Sequence, residues 1–164
     1  MRIFGFAGWS GSGKTTLIEQ LIPRFVKQGL RVSLIKHAHH TFDVDHAGKD
    51  SYRHRQAGAQ EILVTSSRRW VLMHELRGEA EPAFEEQVKR ISPCDLLLVE
   101  GFKHAPIPKL EVWREQTGEG LLHPNDPHIV AVASDAKVET KLPLLDLNDV
   151  DGIAQFILKK LELR

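Results

Sequence analysis

Near the start of the chain, Gly8-Trp9-Ser10-Gly11-Ser12-Gly13-Lys14-Thr15 forms a complete G-x-x-x-x-G-K-[ST] loop. Each fixed position has its own task on a polyphosphate. The glycines let the backbone turn tightly enough for successive N–H groups, those around Gly11, Ser12 and Gly13, to converge on phosphate oxygens. Lys14 carries a mobile positive charge to the β and γ phosphates, and the Thr15 hydroxyl is a hard oxygen ligand for Mg²⁺.

Such a loop requires a carboxylate near the metal, brought by the end of another buried strand. Asp95-Leu-Leu-Leu-Val-Glu100 offers one at each end. At about 3.3 Å per residue the two acids stand roughly 16 Å apart, so only one reaches the ion. Parallel strands open their ligand crevice at the C-terminal ends, which selects Glu100 as the Walker-B-like carboxylate and leaves Asp95 at the far edge. Gly101 then lets the backbone pass close to the γ phosphate. Cys94 reads as a small buried filler.

Two further segments end strands on the same edge. Lys36-His37-Ala-His39-His40-Thr-Phe-Asp43-Val-Asp45-His46 admits a transition-metal site. It equally admits a nucleotide or substrate role, with Asp43 or Asp45 acting through water on the nucleotide's Mg²⁺ and the histidines meeting an anionic second ligand, or a plain solvated loop. The basic residues of Gly48-Lys49-Asp50-Ser51-Tyr-Arg53-His-Arg55 suit a phosphate-bearing partner or a solvated helix face. Ile129-Val-Ala-Val-Ala-Ser134-Asp135 ends in an aspartate whose carboxylate can accept both N1–H and N2–H₂ of guanine, a donor pair adenine lacks. The fuller Asn-Lys-x-Asp pattern is absent, and an Asp capping the next turn explains the residue equally well.

The elements that position these residues alternate. Residues 2–7 predict a buried strand and 15–28 a helix, with Leu17, Ile18, Leu21, Ile22, Phe25 and Val26 on its apolar face and Gly29 as its C′ cap. Pro23 falls inside that helix and predicts a bend. Strands are expected at 31–36, 61–65, 69–75, 95–100, 109–114 and 129–133. Helices are expected at 49–57, 82–91 and 149–161, the last capped by Asn148 or Asp149 with Val150, Ile153, Ile157 and Leu161 inward. The stretch 115–128 reads as a long loop, functional or mobile. The pattern is that of an α/β fold, a mainly parallel sheet flanked by helices, carried by a single domain over residues 1–164.

Bulk properties narrow the function. With 22 basic and 22 acidic side chains, the chain carries no strong electrostatic footprint for nucleic acid or an anionic membrane. One cysteine precludes an intrachain disulfide and fits a reducing compartment. No leader and no membrane-length apolar run is seen, so a cytoplasmic protein is expected. In 61–75, Ile62, Leu63, Val64, Trp70, Val71, Leu72 and Met73 form a hairpin too apolar to face water on both sides, which calls for cover by its own domain or by a second copy.

Three blocks together resemble the molybdopterin-guanine dinucleotide biosynthesis protein B family, MobB: the amino-terminal P-loop; Lys36-His37…Phe42-Asp43-Val-Asp45…Gly48-Lys49-Asp50-Ser51…Arg53…Ala57-Gly58-Ala59; and Leu98-Val99-Glu100-Gly101-Phe102-Lys103. The first is shared by very many NTPases; the second and third are specific. The resemblance implies a P-loop NTPase-type fold and a homodimer that binds GTP and Mg²⁺ and hydrolyses GTP weakly. It would assist a MobA-type guanylyltransferase in attaching GMP to molybdopterin, the organic part of molybdenum cofactor. It implies phosphate and Mg²⁺ roles for Gly11, Ser12, Gly13, Lys14, Thr15 and Thr16, and a Walker-B-like role for Glu100 and Gly101. Asp45 would face the nucleotide or the pterin-bearing partner. A small-molecule kinase and a non-catalytic, nucleotide-switched adaptor are the competing readings. A kinase needs an arginine-bearing lid, and 115–128 contains no arginine.

Overall fold

The computed structural model describes residues 1–38 and 42–163. In chain order the elements are β1 (Arg2–Ala7), α1 (Lys14–Lys27), β2 (Val32–Lys36), α2 (Asp50–Gln56), β3 (Glu61–Thr65), β4 (Trp70–His74), α3 (Phe84–Lys89), β5 (Leu96–Glu100), β6 (Lys109–Trp113), β7 (Ile129–Ser134), β8 (Leu144–Asp146) and α4 (Val150–Lys160). The chain divides into two compact units, Met1–His37 with Phe84–Arg164, and Ala38–Ala83.

The larger unit is a six-stranded sheet in the order β2-β5-β1-β6-β7-β8, with every neighbouring pair parallel. Its strands are apolar runs because both faces are covered. Along β5 the side chains alternate: Leu96 and Leu98 enter a core with Leu17, Leu21 and Phe25 of α1 and Ile153 and Ile157 of α4. Leu97 and Val99 enter a second core with Ile35 and Ile107, against which Phe84 and Val88 pack. The sheet is therefore sandwiched, as an α/β fold demands.

Local chemistry accounts for the helix ends. Gly29 takes φ 84°, its N–H meets the Val26 carbonyl, and the Leu30 N–H meets that of Phe25, a Schellman closure. Asp149 caps α4 by accepting from the Gly152 N–H at 2.9 Å, and Val150, Ile153, Ile157 and Leu161 are buried as expected. The expected face of α1 holds for Leu17, Ile18, Leu21 and Phe25 but not for Val26, which is 54% exposed. A step of four residues overshoots a full turn by about 40°, so the 18-22-26 row drifts off the buried stripe. Pro23 sits on the exposed side of α1, where the Glu19 carbonyl it leaves without an amide can meet water. Strand β8 is three residues long and was not expected.

Strand β6 departs from its neighbours because two charged side chains, Lys109 and Glu111, are each only 1% exposed. Lys109 donates to the carbonyls of Lys103 and Ala105 and pairs with Asp126 at 2.6 Å. Glu111 accepts from the backbone N–H groups of Leu122 and His123 and from the His123 ring. Trp9 and Trp113 donate their indole N–H groups to the carbonyls of Gly120 and Glu119. The stretch 115–128, expected as a functional or mobile loop, is thus fastened at several points and contains two short 3-10 turns.

The smaller unit is α2 and the antiparallel β3–β4 hairpin, paired from Glu61↔His74 to Thr65↔Trp70. The Ser66 hydroxyl closes its turn by accepting from the N–H groups of Arg68 and Arg69. Met73 is its one buried apolar side chain among the described residues, whereas Leu63 is 60% and Trp70 65% exposed. Arg55 is its polar centre, reaching Asp43 and Asp45 at 2.7 Å and Glu75 at 3.3 Å. Hydrogen bonding from Arg55 holds the Asp43 carboxyl at a pKa of about 2.

Candidate nucleotide site

Between β1 and α1 the chain makes its tightest turns. Gly11 and Gly13 take φ 80° and 92°, conformations that cost a residue with a Cβ 1 kcal/mol or so. At Gly8 a Cβ would collide with the Val112 carbonyl. Gly13 is the N-cap of α1, with no side-chain cap and no acidic residue in the first turn. The amides of that turn therefore point outward with the positive end of the helix dipole behind them, which is the arrangement that attracts phosphate. Within the loop, the buried Ser12 hydroxyl has no hydrogen-bond partner among the described residues.

Lys14 folds over the crown of the loop and donates to the carbonyls of Gly8 and Trp9 at 2.9 and 2.8 Å. An ammonium has three donors, so one stays available to a ligand. Burial lowers the Lys14 pKa; Glu100 raises it, and the charges of Lys103 and Lys36 lower it further. Lys14 thus feels two further lysines and one carboxylate, a local positive excess suited to a polyanion.

Glu100 ends β5 beside this loop. Its Oε1 accepts from the Thr15 hydroxyl at 2.8 Å, and its Oε2 lies 3.5 Å from the Lys36 ammonium. A hydroxyl and a carboxylate side by side are hard oxygen donors, and Mg²⁺ takes one or two such protein ligands with the rest from phosphate and water. The donor set fits that ion. Asp95 lies at the opposite end of the strand, bound to Arg31 through both carboxylate oxygens; hydrogen bonding from Arg31 holds its pKa at about 2. Gly101 has φ 100°, and a Cβ there would sit 2.8 Å from the His37 carbonyl, a close approach within the protein itself.

A model of the family described as MobB, molybdopterin guanine dinucleotide synthesis protein B, matches residues 3–135. The chain belongs to the MobB family. It is 46% identical over 162 residues to a molybdopterin-guanine dinucleotide biosynthesis adapter protein of Escherichia coli, covering 96% of this chain and 91% of that one. A protein of the same description from Haemophilus influenzae is 41% identical over 155 residues, covering 94% and 86%. The crystal structure of Bacillus subtilis MobB superposes with a TM-score of 0.77 at 27% identity, covering 98% of each chain. The MobB fold, a mainly parallel sheet flanked by helices, is the one observed here.

The residues expected to serve this MobB site fall into three groups. Gly11, Ser12, Gly13, Lys14, Thr15, Thr16 and Glu100 are brought together by β1, α1 and β5. Asp45 belongs to the smaller unit, buried and paired with Arg55. Asp135 follows β7, but its Oδ2 is engaged by Arg114 at 2.9 Å and its Oδ1 accepts from the Glu115 N–H at 3.4 Å. Within the histidine-rich segment, His39, His40 and Thr41 lie outside the described residues. Among those described, no group of three or more His, Cys, Asp or Glu side chains could hold a metal ion. Two residues at the loop escaped the sequence reading. Lys103 rests its ammonium 4.4 Å from the centre of the Trp9 ring, and Arg114 packs against Gly13, where a Cβ would meet its Nε at 3.2 Å. Both follow C-terminal strand ends, so the rule that selects Glu100 would have found them.

Proposed function

We propose that this MobB-family chain binds GTP with Mg²⁺ at the Gly8–Thr16 loop and serves as an adapter to a MobA-type guanylyltransferase that converts molybdopterin to its guanine dinucleotide form. The Thr15–Glu100 pair at 2.8 Å carries the reading, because it sets two hard oxygen donors where the loop's amides and Lys14 converge. Lys14 holds the β and γ phosphates, Thr15 ligates the ion, and Glu100 orders its shell. When bound, Mg²⁺ neutralises charge between the β and γ phosphates. With no water-positioning glutamine at the loop among the described residues, hydrolysis is slow, on the order of 10⁻⁴–10⁻² s⁻¹. The protein works in the cytoplasm as a homodimer joined through the apolar hairpin, and Asp45 keeps the role of facing the nucleotide or the pterin-bearing partner.

Reconstitution tests it. The chain, GTP and Mg²⁺ are added to molybdopterin with and without a MobA-type transferase, and dinucleotide is measured. Dinucleotide yield should rise with the chain present, and Lys14→Ala should abolish both the rise and GTP binding by calorimetry. Glu100→Gln should remove the Mg²⁺ dependence of binding. No effect of the chain on yield would overturn the adapter role. A phosphorylated small molecule in place of dinucleotide would point to a kinase.

A further inference from the structure

Beside the phosphate loop, on the side away from Glu100, lies a cleft of about 120 Å³ between the start of α1 and the turn from β8 into α4. Thr16, Gln20 and Asn148 give it a mainly polar lining, Leu17, Leu147 and Val150 add a smaller apolar floor, and Arg114 closes the end next to Gly13. A pocket that encloses a whole small ligand spans about 300–1,000 Å³, so this one takes a part of a ligand, the size of a ring system.

Strand order gives the direction. The loop leaves β1, which lies between β5 and β6. Glu100 stands on the β5 side with Thr15, and Arg114 follows β6 on the other. A linear polyphosphate whose metal were held by Thr15 and Glu100 would run across Gly13 toward Arg114, and what it carries at its far end would reach the cleft.

Arg114 is held for such a task. Its Nη1 is 2.9 Å from the Asp135 carboxylate, and its carbonyl accepts from both the N–H and the hydroxyl of Thr117. Its guanidinium lies over the bare Cα of Gly13. A guanidinium so fixed presents a flat cationic face, which stacks on a heteroaromatic ring as an ammonium cannot. On the rim, the Asn148 amide nitrogen donates to Asp146 at 3.1 Å, which leaves the amide oxygen as the acceptor.

Building on the nucleotide reading above, we propose that this cleft receives the nucleobase of the bound triphosphate, stacked on Arg114, with Asp135 acting as the positioning residue for that arginine rather than as a direct reader of the base. The site then selects a nucleoside triphosphate over bare polyphosphate.

Calorimetry with GTP and with inorganic tripolyphosphate, each with Mg²⁺, tests it on the full chain. The wild type should prefer GTP, and Arg114→Ala should lose about tenfold in GTP affinity, the scale of one base stacked on a side chain, with tripolyphosphate affinity unchanged. Arg114→Lys should behave like the alanine variant. Asp135→Asn should weaken GTP alone, by less. Asn148→Trp, at an exposed position, blocks the cleft without touching the core and should also weaken only GTP. Equal losses for both ligands in Arg114→Ala would make Arg114 a phosphate contact and overturn the proposal. Wild-type affinity for tripolyphosphate equal to that for GTP would overturn it too, while leaving the phosphate loop's role intact. Binding of neither ligand would end both readings.

Discussion

Strand β5 and the β3–β4 hairpin are both mostly apolar, yet they meet opposite fates. Leu96, Leu97, Leu98 and Val99 are at most 1% exposed, sealed between helical layers. Leu63, Val64, Trp70, Val71 and Leu72 all remain exposed. Apolar sequence therefore states only that a surface must be covered; what covers it depends on the elements within reach. Five-residue β5 sits between two partner strands, whereas the hairpin is its own two-stranded sheet. The acidic cluster around Arg55 ties segments of the smaller unit to one another, but its one buried apolar side chain among the described residues, Met73, is far less than a self-sufficient core requires.

The contrast can be broken most forcefully in β5. Leu98→Ala should cost about 2–5 kcal/mol in urea denaturation, the range for a fully buried leucine, whereas Leu72→Ala should cost under about 0.5 kcal/mol in a dilute, monomeric sample. Comparable losses would mean the hairpin is packed in the monomer. Next in size, Trp70→Asp should convert the proposed homodimer to an 18.5 kDa monomer in light scattering without lowering the monomer's melting temperature. A wild type that is monomeric at every concentration would remove the hairpin interface.

The smallest effect sharpens what the two units share. Asp95 in one and Asp43 in the other are each depressed by an arginine from the ordinary 3.8 to about 2. A depressed carboxylate adds stability that is complete above its unfolded pKa and disappears as pH falls through the folded one. The stability each clamp adds should be full above about pH 4 and fade between there and about pH 2, while carboxylate carbon shifts in NMR should place each midpoint near 2. Asp43 titrating near 4 while Asp95 stays near 2 would show that the Arg55 cluster does not persist in solution.

Much of the larger unit was readable beforehand because its signals are local. A glycine-rich turn, an uninterrupted apolar strand and a 3.6-residue period each carry their own physics, which is why the turn between β1 and α1, the place of Glu100 beside it and the inward face of α4 could be read from residues alone. What could not be read depends on distant partners. Lys109 and Glu111 look like alternating surface charges in Lys-Leu-Glu-Val-Trp, and the side chains that face them, Asp126 and His123, lie more than ten residues on. Asp135 was legible as an acid at the right edge but not as the partner of Arg114, since that pairing crosses from one strand end to another. Strand β8 is too short to show a period at all.

The indole of Trp9 is hydrogen-bonded to one loop and capped by the cation of another, which makes it an optical gauge set inside the phosphate loop. In a Trp70→Phe, Trp113→Phe background it is the sole strong emitter. A ligand that draws the Lys103 charge off the ring should shift its fluorescence, so that occupancy and loop rearrangement can be followed in stopped flow without a label.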